Sequence, residues 1–243
     1  MVEHLISTSL SEVKLYFYRL YSLESTLDSF YMSYYLYYST QEFMGIQLRK
    51  IRCLVTDLDG TLVRLPIDWD YVRAKIRNFL KTNHPLKPLL PSLNEVIQNE
   101  ELMRTVLSMI EEEEVKAVEK IGKSPKLREI LFKLKSRNMK LVLITQQSTR
   151  PAKIALSKLG ILDLFDLIIT RNIVREREEQ LRKVIEIMGV SPSEVVFVGD
   201  APWDYEAGTR LGCLTIMVGN RVPSAHIRLS SFLELEKLLD YIL

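Results

Sequence analysis

The chain has 243 residues, of which 47% are hydrophobic and 26% charged, and it carries a formal net charge of +2. These values are typical of a globular domain and exclude a disordered tail, a collagen-like chain and a disulfide scaffold. The small net charge does not suggest nucleic-acid binding, and no apolar run of about 18 residues predicts a membrane span. Cys53 and Cys213 lie in apolar stretches, so we expect buried free thiols in a reducing, cytoplasmic compartment.

Residues 1–43 differ in composition from the rest of the chain, because they hold eight of the 11 tyrosines and neither glycine nor proline. An early acidic residue and interrupted apolar residues do not match a secretory signal. Three interpretations stay open: a helical extension packed on the main domain, an aromatic strip that binds an interface or partner, or an over-long translation ahead of a native start at Met44. No chemistry is assigned to this region.

A long interval separates the first two predicted strands, 51–56 and 140–145, and it exceeds 80 residues. A strand–helix–strand crossover needs roughly 30 residues or more, so about 60 residues are left over. We expect them to form a small all-α cap inserted after the first strand. The predicted division is a core at 44–62 and 123–243 with the cap at 63–122.

Within the predicted cap, apolar residues recur at helical spacing over 69–82 and again across 93–121, where one or two helices are expected. Pro85, Pro88 and Pro91 predict a break between these helices. The four acids at 111–114 are interpreted as a solvated helix face.

Short apolar runs bounded by turn signals predict the strands of a sheet. The predicted strands are 51–56, 140–145, 167–170, 195–199 and 213–218, and the helices between and after them are 125–137, 151–159, 176–189, 203–211 and 232–242. This alternation predicts an α/β domain with a doubly wound, mostly parallel sheet and helices on both faces. Ligands of such sheets bind beyond the carboxyl ends of the strands.

Acidic and hydroxyl side chains follow three of these strand ends. Asp57 and Asp59 come directly after the first strand, and because side chains alternate along an extended chain, both can face one site. Thr145 ends the second strand, Asp200 follows the fourth, and Asp204 lies at the start of the next helix. Four converging carboxylates repel one another unless a cation lies among them, and hard oxygen ligands without histidine favour Mg²⁺.

Three segments carry a resemblance to a known family: Asp57-Leu58-Asp59-Gly60-Thr61, the strand 141–145 that ends in Thr145, and 196–204 with Asp200 and Asp204. In residue types, order and strand context the chain resembles the haloacid dehalogenase-like hydrolase superfamily over roughly residues 48–243. The position of the helical insert is similar to that in the phosphoglycolate phosphatase-like branch. The resemblance implies the Rossmann-like core of that superfamily.

The resemblance also implies roles for individual residues. Asp57 would be the nucleophile that forms an aspartyl-phosphate, and Asp59 the general acid and base. The implied Mg²⁺ ligands are Asp57, Asp200 and the backbone carbonyl of Asp59, with Asp204 in support. The implied phosphate cradle is Thr145 with backbone N–H groups around Gly60 and Gln146. The presence of Asp59 favours a phosphate ester over a halide, because displacement of halide needs no acid there.

The chain departs from the family at its third motif, which is normally Lys-Pro ahead of the fourth strand. No Lys-Pro occurs between Thr170 and Val195. Arg175 is the first candidate for the phosphate clamp, although an arginine fork differs from a compact ammonium. The other candidates are Arg177, Lys183, Arg150, Lys153 and Lys158, and without any of them turnover could be weak.

The expected substrate is a small phosphorylated metabolite, such as phosphoglycolate or a sugar phosphate. Arg64, Trp69 and Arg73 could confer specificity, or Trp69 could belong to the cap core and both arginines could be solvated. A phosphomutase on the same core, and a weakly active or non-catalytic phosphate-binding protein, are the alternatives. A homodimer is left open, and no nucleic-acid partner is expected.

Overall fold

The computed structural model describes residues 51–238, so the predicted extension at 1–43, the predicted core segment at 44–50 and the end of the last predicted helix lie outside the described residues. Six strands form one sheet in the order β3-β2-β1-β4-β5-β6, and every neighbouring pair is parallel. The strands are β1 (Cys53–Thr56), β2 (Lys140–Ile144), β3 (Leu167–Ile169), β4 (Val195–Gly199), β5 (Leu214–Val218) and β6 (Ile227–Leu229).

Seven α-helices accompany the sheet in the described part of the chain. They are α1 (Trp69–Leu80), α2 (Leu89–Val96), α3 (Glu100–Val118), α4 (Pro125–Ser136), α5 (Thr149–Leu159), α6 (Arg177–Met188) and α7 (Pro202–Leu211). Short 3₁₀ helices lie at Leu162–Leu164, Pro192–Glu194 and Phe232–Leu238.

Both faces of the sheet are covered, because successive strand residues point to opposite faces. Leu54 packs with the apolar faces of α4 and α5, whereas Cys53 and Val55 pack with Leu181 of α6. The predicted doubly wound α/β fold class is therefore confirmed. From β1 the chain adds β2 and β3 on one side of the sheet and then β4, β5 and β6 on the other. This change of direction leaves a crevice at the carboxyl ends of β2, β1 and β4.

Two predictions at the end of the chain need correction. The sequence analysis missed β6, because this strand is only three residues long and has the exposed Arg228 at its centre. Phe232–Leu238 forms a 3₁₀ helix rather than the first turns of an α-helix. Both segments are shorter than the windows in which hydrophobic periodicity can be recognised.

Helices α1 to α3 lie between β1 and α4 in sequence and pack on a separate hydrophobic cluster. The side chains of Asp68 and Asn99 accept the backbone N–H groups of Tyr71 and Leu102, which fixes the starts of α1 and α3. Pro91 does not break the chain as predicted but lies in the first turn of α2, where an N–H has no helical partner. The boundaries given for cap and core stay predictions.

Among residues 51–238, no helix is both long and apolar enough to cross a bilayer. Cys53 and Cys213 are buried free thiols, as predicted. Burial raises the pKa of each thiol to about 12.

Candidate active site

The two acids of the first motif lie at the carboxyl end of β1. Asp57 is buried and its backbone N–H donates to the Val198 carbonyl, which extends the pairing with β4. Asp59 is partly buried, and its Oδ1 accepts the Leu65 N–H at 2.8 Å. Burial raises the pKa of Asp59 to about 6, and the Leu65 N–H partly opposes this rise. A carboxyl group with such a pKa can both give and take a proton near neutral pH.

Arg177, at the start of α6, contacts the Asp57 carboxylate directly. Its Nη2 lies 2.7 Å from Asp57 Oδ1, and its Nε lies 2.8 Å from Asp204 Oδ1. A further guanidinium nitrogen donates to the Ile144 carbonyl at the end of β2. Burial raises the pKa of Asp57, Arg177 lowers it, and the nearby Asp204 raises it. Arg177 thus supplies the positive charge that keeps two buried carboxylates together.

Asp204 is fully buried and is held by the backbone as well as by Arg177. Its Oδ2 accepts the N–H groups of Asp200 and Ala201 at 3.2 and 3.0 Å, which closes the first turn of α7. Asp200 lies between this turn and Arg221, whose Nη1 is 2.7 Å from Asp200 Oδ2. Asp204 therefore contacts the backbone of Asp200, and Arg177 connects it to Asp57.

Gly60 allows Asp200 to approach the first motif. It has a φ of +88°, and a Cβ at this position would lie 2.6 Å from the Asp200 Cγ. Glycine allows both the positive φ and the close approach of Asp200, since it has no Cβ. Its N–H donates to the Val63 carbonyl at 2.8 Å, so in this conformation the N–H is not free for a phosphate.

The loop that follows β2 carries the predicted phosphate-binding residues. Thr145 is buried, and its Oγ1 accepts the Gln147 N–H at 3.1 Å. The Gln146 side chain donates to the Arg175 carbonyl at 2.6 Å, which joins this loop to the segment after β3. Both residues line the same cavity as Asp57, so the structure brings them together with the first motif.

Two arginines, Arg175 and Arg177, lie where the family has its Lys-Pro motif, and they differ in burial. Arg175 is exposed and lines the cavity mouth, and within the described residues its guanidinium forms no ion pair. Arg177 is buried and contacts Asp57. The role of Arg175 as a clamp stays a prediction, whereas Arg177 is the arginine of this segment that contacts the Asp57 carboxylate. The prediction chose Arg175 rather than Arg177 because the position was counted back from the following strand. Such a count can be wrong by two residues at the first turn of a helix.

The acidic run in α3 was wrongly interpreted as solvated along its whole length. Glu114 is only 1% exposed and forms an ion pair with the buried Arg171, which follows β3. Glu111 accepts the Ser148 hydroxyl at 2.7 Å. The signal was present in the sequence, because Glu114 falls between Ile110 and Ala117 on the buried stripe of α3. The sequence analysis also missed Arg171 and Arg221.

A cavity of about 480 Å³ joins these groups to the cap. Trp69, Arg73 and Ile110 line it from the cap side, and Trp203 lines it from the start of α7. The predicted specificity residue Arg64 is exposed and is not among the lining residues of this cavity. The volume is typical of small-molecule sites.

The donor chemistry of the site fits a hard divalent cation. Asp57 and Asp200 are close enough that the charge of Asp200 raises the pKa of Asp57. Among the described residues, no histidine or cysteine lines the cavity. Such carboxylate oxygens suit Mg²⁺ rather than zinc. Within residues 51–238, no three histidine, cysteine, aspartate or glutamate side chains are grouped closely enough to form a complete metal cage.

The fold and the site together define a doubly wound α/β enzyme domain with acidic groups at the crevice of its sheet. Residues 68–218 match the family model described as haloacid dehalogenase-like hydrolase, and the chain belongs to this family. The predicted family and the predicted class of enzyme, a hydrolase, are confirmed. Asp57 and Asp59 precede the matched segment, so their roles stay predictions.

Similar proteins agree with this assignment, and a solved structure shares the fold. A Clostridium perfringens protein provisionally named pyrophosphatase PpaX is 29% identical over 182 residues, 68% of this chain and 82% of that protein. A Chromobacterium violaceum phosphoglycolate phosphatase is 32% identical over 98 residues, 39% of this chain and 44% of that protein. The β-phosphoglucomutase of Clostridium difficile superposes with a TM-score of 0.60 at 22% identity, covering 79% and 95% of the two chains, which shows a shared fold.

Proposed function

We propose that the chain is a Mg²⁺-dependent phosphatase that hydrolyses a small phosphomonoester through an aspartyl-phosphate on Asp57. The observation that carries the proposal is the contact between the buried Asp57 carboxylate and Arg177, with Asp59 two residues further on. One carboxylate is thus held for attack, while the other has a pKa of about 6 and can exchange protons. A phosphate-binding protein without turnover would need no such proton donor.

Each covalent step has a residue that supplies the attacking oxygen or transfers the proton. Arg177 binds Asp57 Oδ1, which leaves Oδ2 to attack phosphorus. As the phosphorus–oxygen ester bond breaks, Asp59 gives its proton to the leaving oxygen. Asp59 then takes a proton from the water that attacks the aspartyl-phosphate, and the bond between phosphorus and Asp57 breaks. Thr145 and the backbone after β2 would hold the phosphoryl oxygens.

The Mg²⁺ site would use Asp57, Asp200 and the backbone carbonyl of Asp59. When bound, the cation would favour the ionised form of Asp57 and neutralise the phosphate charge. Asp204 would support Asp200 through the turn that starts α7, because its Oδ1 forms an ion pair with Arg177 and its Oδ2 accepts backbone N–H groups.

The substrate class follows from the cavity and from the relatives. A volume of about 480 Å³ holds a phosphate together with a small organic group. A similar protein is named phosphoglycolate phosphatase, which supports a small phosphomonoester such as phosphoglycolate or a sugar phosphate. The phosphoglucomutase neighbour shares the fold and does not favour the phosphomutase alternative.

Phosphate release from p-nitrophenyl phosphate with and without Mg²⁺ tests the proposal. We expect Asp57→Asn to lower kcat by roughly 10⁴-fold or more, since loss of a catalytic nucleophile has effects of this size. The matched control is Asp163→Asn, because Asp163 is 62% exposed and neither it nor its partner Arg128 lines the cavity. Mass spectrometry of rapidly quenched enzyme should find one phosphoryl group on the peptide that contains Asp57. Full activity of Asp57→Asn would exclude this mechanism.

A further inference from the structure

Two acids of α3 contact the loop that follows β2. Glu111 Oε2 accepts the Ser148 hydroxyl at 2.7 Å, and Glu114 Oε2 accepts the Ser148 backbone N–H at 3.3 Å. The other oxygen of Glu114 forms the ion pair with Arg171. Three contacts therefore connect the cap helix to Ser148 and to Arg171 in the segment after β3.

Arg171 extends this connection to one particular peptide unit. Its Nη1 donates to the Gln146 carbonyl oxygen at 2.7 Å. The N–H of the same peptide belongs to Gln147 and donates to Thr145 Oγ1 at 3.1 Å. A peptide unit is planar, so its bonds to Arg171 and to Thr145 together set its orientation.

The Thr145 hydroxyl is the last member of the chain of contacts. Because its oxygen accepts the Gln147 N–H, its own proton is left to donate to another acceptor. Thr145 lines the cavity beside Asp57, where the phosphoryl group would bind. The direction of this hydroxyl thus depends on the peptide that Arg171 holds.

The burial of the Glu114–Arg171 pair is not explained by stability. The two side chains are 1% and 3% exposed, and burial raises the pKa of Glu114 although Arg171 opposes the rise. Removing both charges from water costs free energy that their attraction often fails to recover. One Arg171 nitrogen, Nη2, is buried without a hydrogen-bond partner among residues 51–238, which adds to this cost.

We propose that Glu114 and Arg171 are positioning residues, which orient the Thr145 hydroxyl toward the phosphoryl group through the peptide between Gln146 and Gln147. The inference rests on the proposed phosphatase function. It assigns to the cap helix α3 a part in catalysis that does not require contact with the substrate.

A double-mutant cycle between Glu114 and Thr145 tests this proposal. We expect Glu114→Gln to lower kcat by about 10- to 100-fold with little change in KM, because misplacement by about 1 Å has effects of this order. The matched control is Glu112→Gln, since Glu112 is 62% exposed on the same helix. In a Thr145→Val background, which lacks the hydroxyl, Glu114→Gln should lower kcat by less than about twofold.

The outcomes are distinguishable. An equal loss of kcat in both backgrounds would mean that Glu114 does not act through Thr145, and this would overturn the inference. A wild-type kcat in Glu114→Gln would also overturn it. Either result would leave the phosphatase proposal intact. A wild-type enzyme without activity on any phosphomonoester would overturn both. If Glu114→Gln does not fold, as judged by circular dichroism, the same cycle uses Arg171→Lys, which keeps a buried cation beside Glu114.

Discussion

The two buried arginines of this domain lie six residues apart, yet they serve different parts of the molecule. Arg177 binds two carboxylates, on Asp57 and Asp204, and so connects the proposed nucleophile to the helix that follows β4. Arg171 binds one carboxylate, on Glu114, and connects the cap to the loop after β2. The segment after β3 therefore supplies both the charge at the site and the attachment of the cap.

The difference in partners has an energetic consequence. Loss of Arg177 would leave two neighbouring carboxylates buried without a counter-charge, whereas loss of Arg171 would leave only one. Breaking a buried pair from one side is strongly destabilising, since the remaining charge is desolvated and unpaired. The two centres should therefore respond to mutation in a fixed order, with Arg177 the more sensitive.

Arg177→Met should have the largest effect on stability. We expect a loss of about 3–5 kcal/mol in the free energy of unfolding, together with loss of catalysis, because Asp57 and Asp204 would repel each other without the guanidinium. Urea unfolding monitored by circular dichroism measures the first quantity, and a phosphate-release assay measures the second.

Arg177→Lys is the control, because it keeps a positive charge and supplies the ammonium that this family normally has near this position. It should retain more stability and more activity than Arg177→Met, although its single nitrogen cannot contact Asp57, Asp204 and the Ile144 carbonyl with arginine's geometry. If both variants were as stable and as active as the wild type, the comparison between the two arginines would fail.

Gly60→Ala should disturb the catalytic centre without touching either arginine. A side chain at φ +88° is strained, and its Cβ would collide with the Asp200 carboxylate. We expect a loss of about 2–4 kcal/mol, combining a left-handed backbone penalty of about 1–2 kcal/mol with displacement of Asp200. Phosphatase activity should fall too, and calorimetry can follow the stability change.

Gly160→Ala separates the backbone strain from the collision, because Gly160 has a φ of +76° and no atom of residues 51–238 lies within 4 Å of the added Cβ. It should show the backbone penalty alone and keep normal activity. Equal effects of the two substitutions on activity would exclude a special role for the space between Gly60 and Asp200.

The positions of the strand-end acids could be predicted from the sequence, whereas the partners of the two buried arginines could not, for a physical reason. Asp57, Asp59 and Asp200 follow buried strands, and parallel strands bring their carboxyl ends to one edge wherever the helices lie. The partners of Arg171 and Arg177 depend on how α3 and α6 pack against that edge. Helical periodicity fixes which face is buried, but it does not specify which charged group on another element meets that face.

The smallest effect should come from an ion pair outside both centres. Glu236, in the 3₁₀ helix Phe232–Leu238, lies 2.7 Å from Lys126 and 2.6 Å from Lys133 of α4. Hydrogen bonds from these lysines lower the pKa of Glu236 from 4.5 to about 2. Unlike Glu114, this carboxylate stays hydrated, so its replacement leaves no desolvated charge behind.

Glu236→Gln should therefore lower Tm only slightly at neutral pH. Because folding lowers the pKa of Glu236, the stability that its charge contributes is fully present above pH 4.5 and is lost as the pH falls toward about 2. Thermal melts of both proteins across this range should converge at the acid end, and 1 M salt should shrink the difference at neutral pH as well. The Tm difference between Glu236→Gln and the wild type should be smaller than that of Arg177→Met and should shrink in high salt. If it were as large as that of Arg177→Met, or persisted in high salt, burial would not explain why the arginine pairs contribute more than surface pairs.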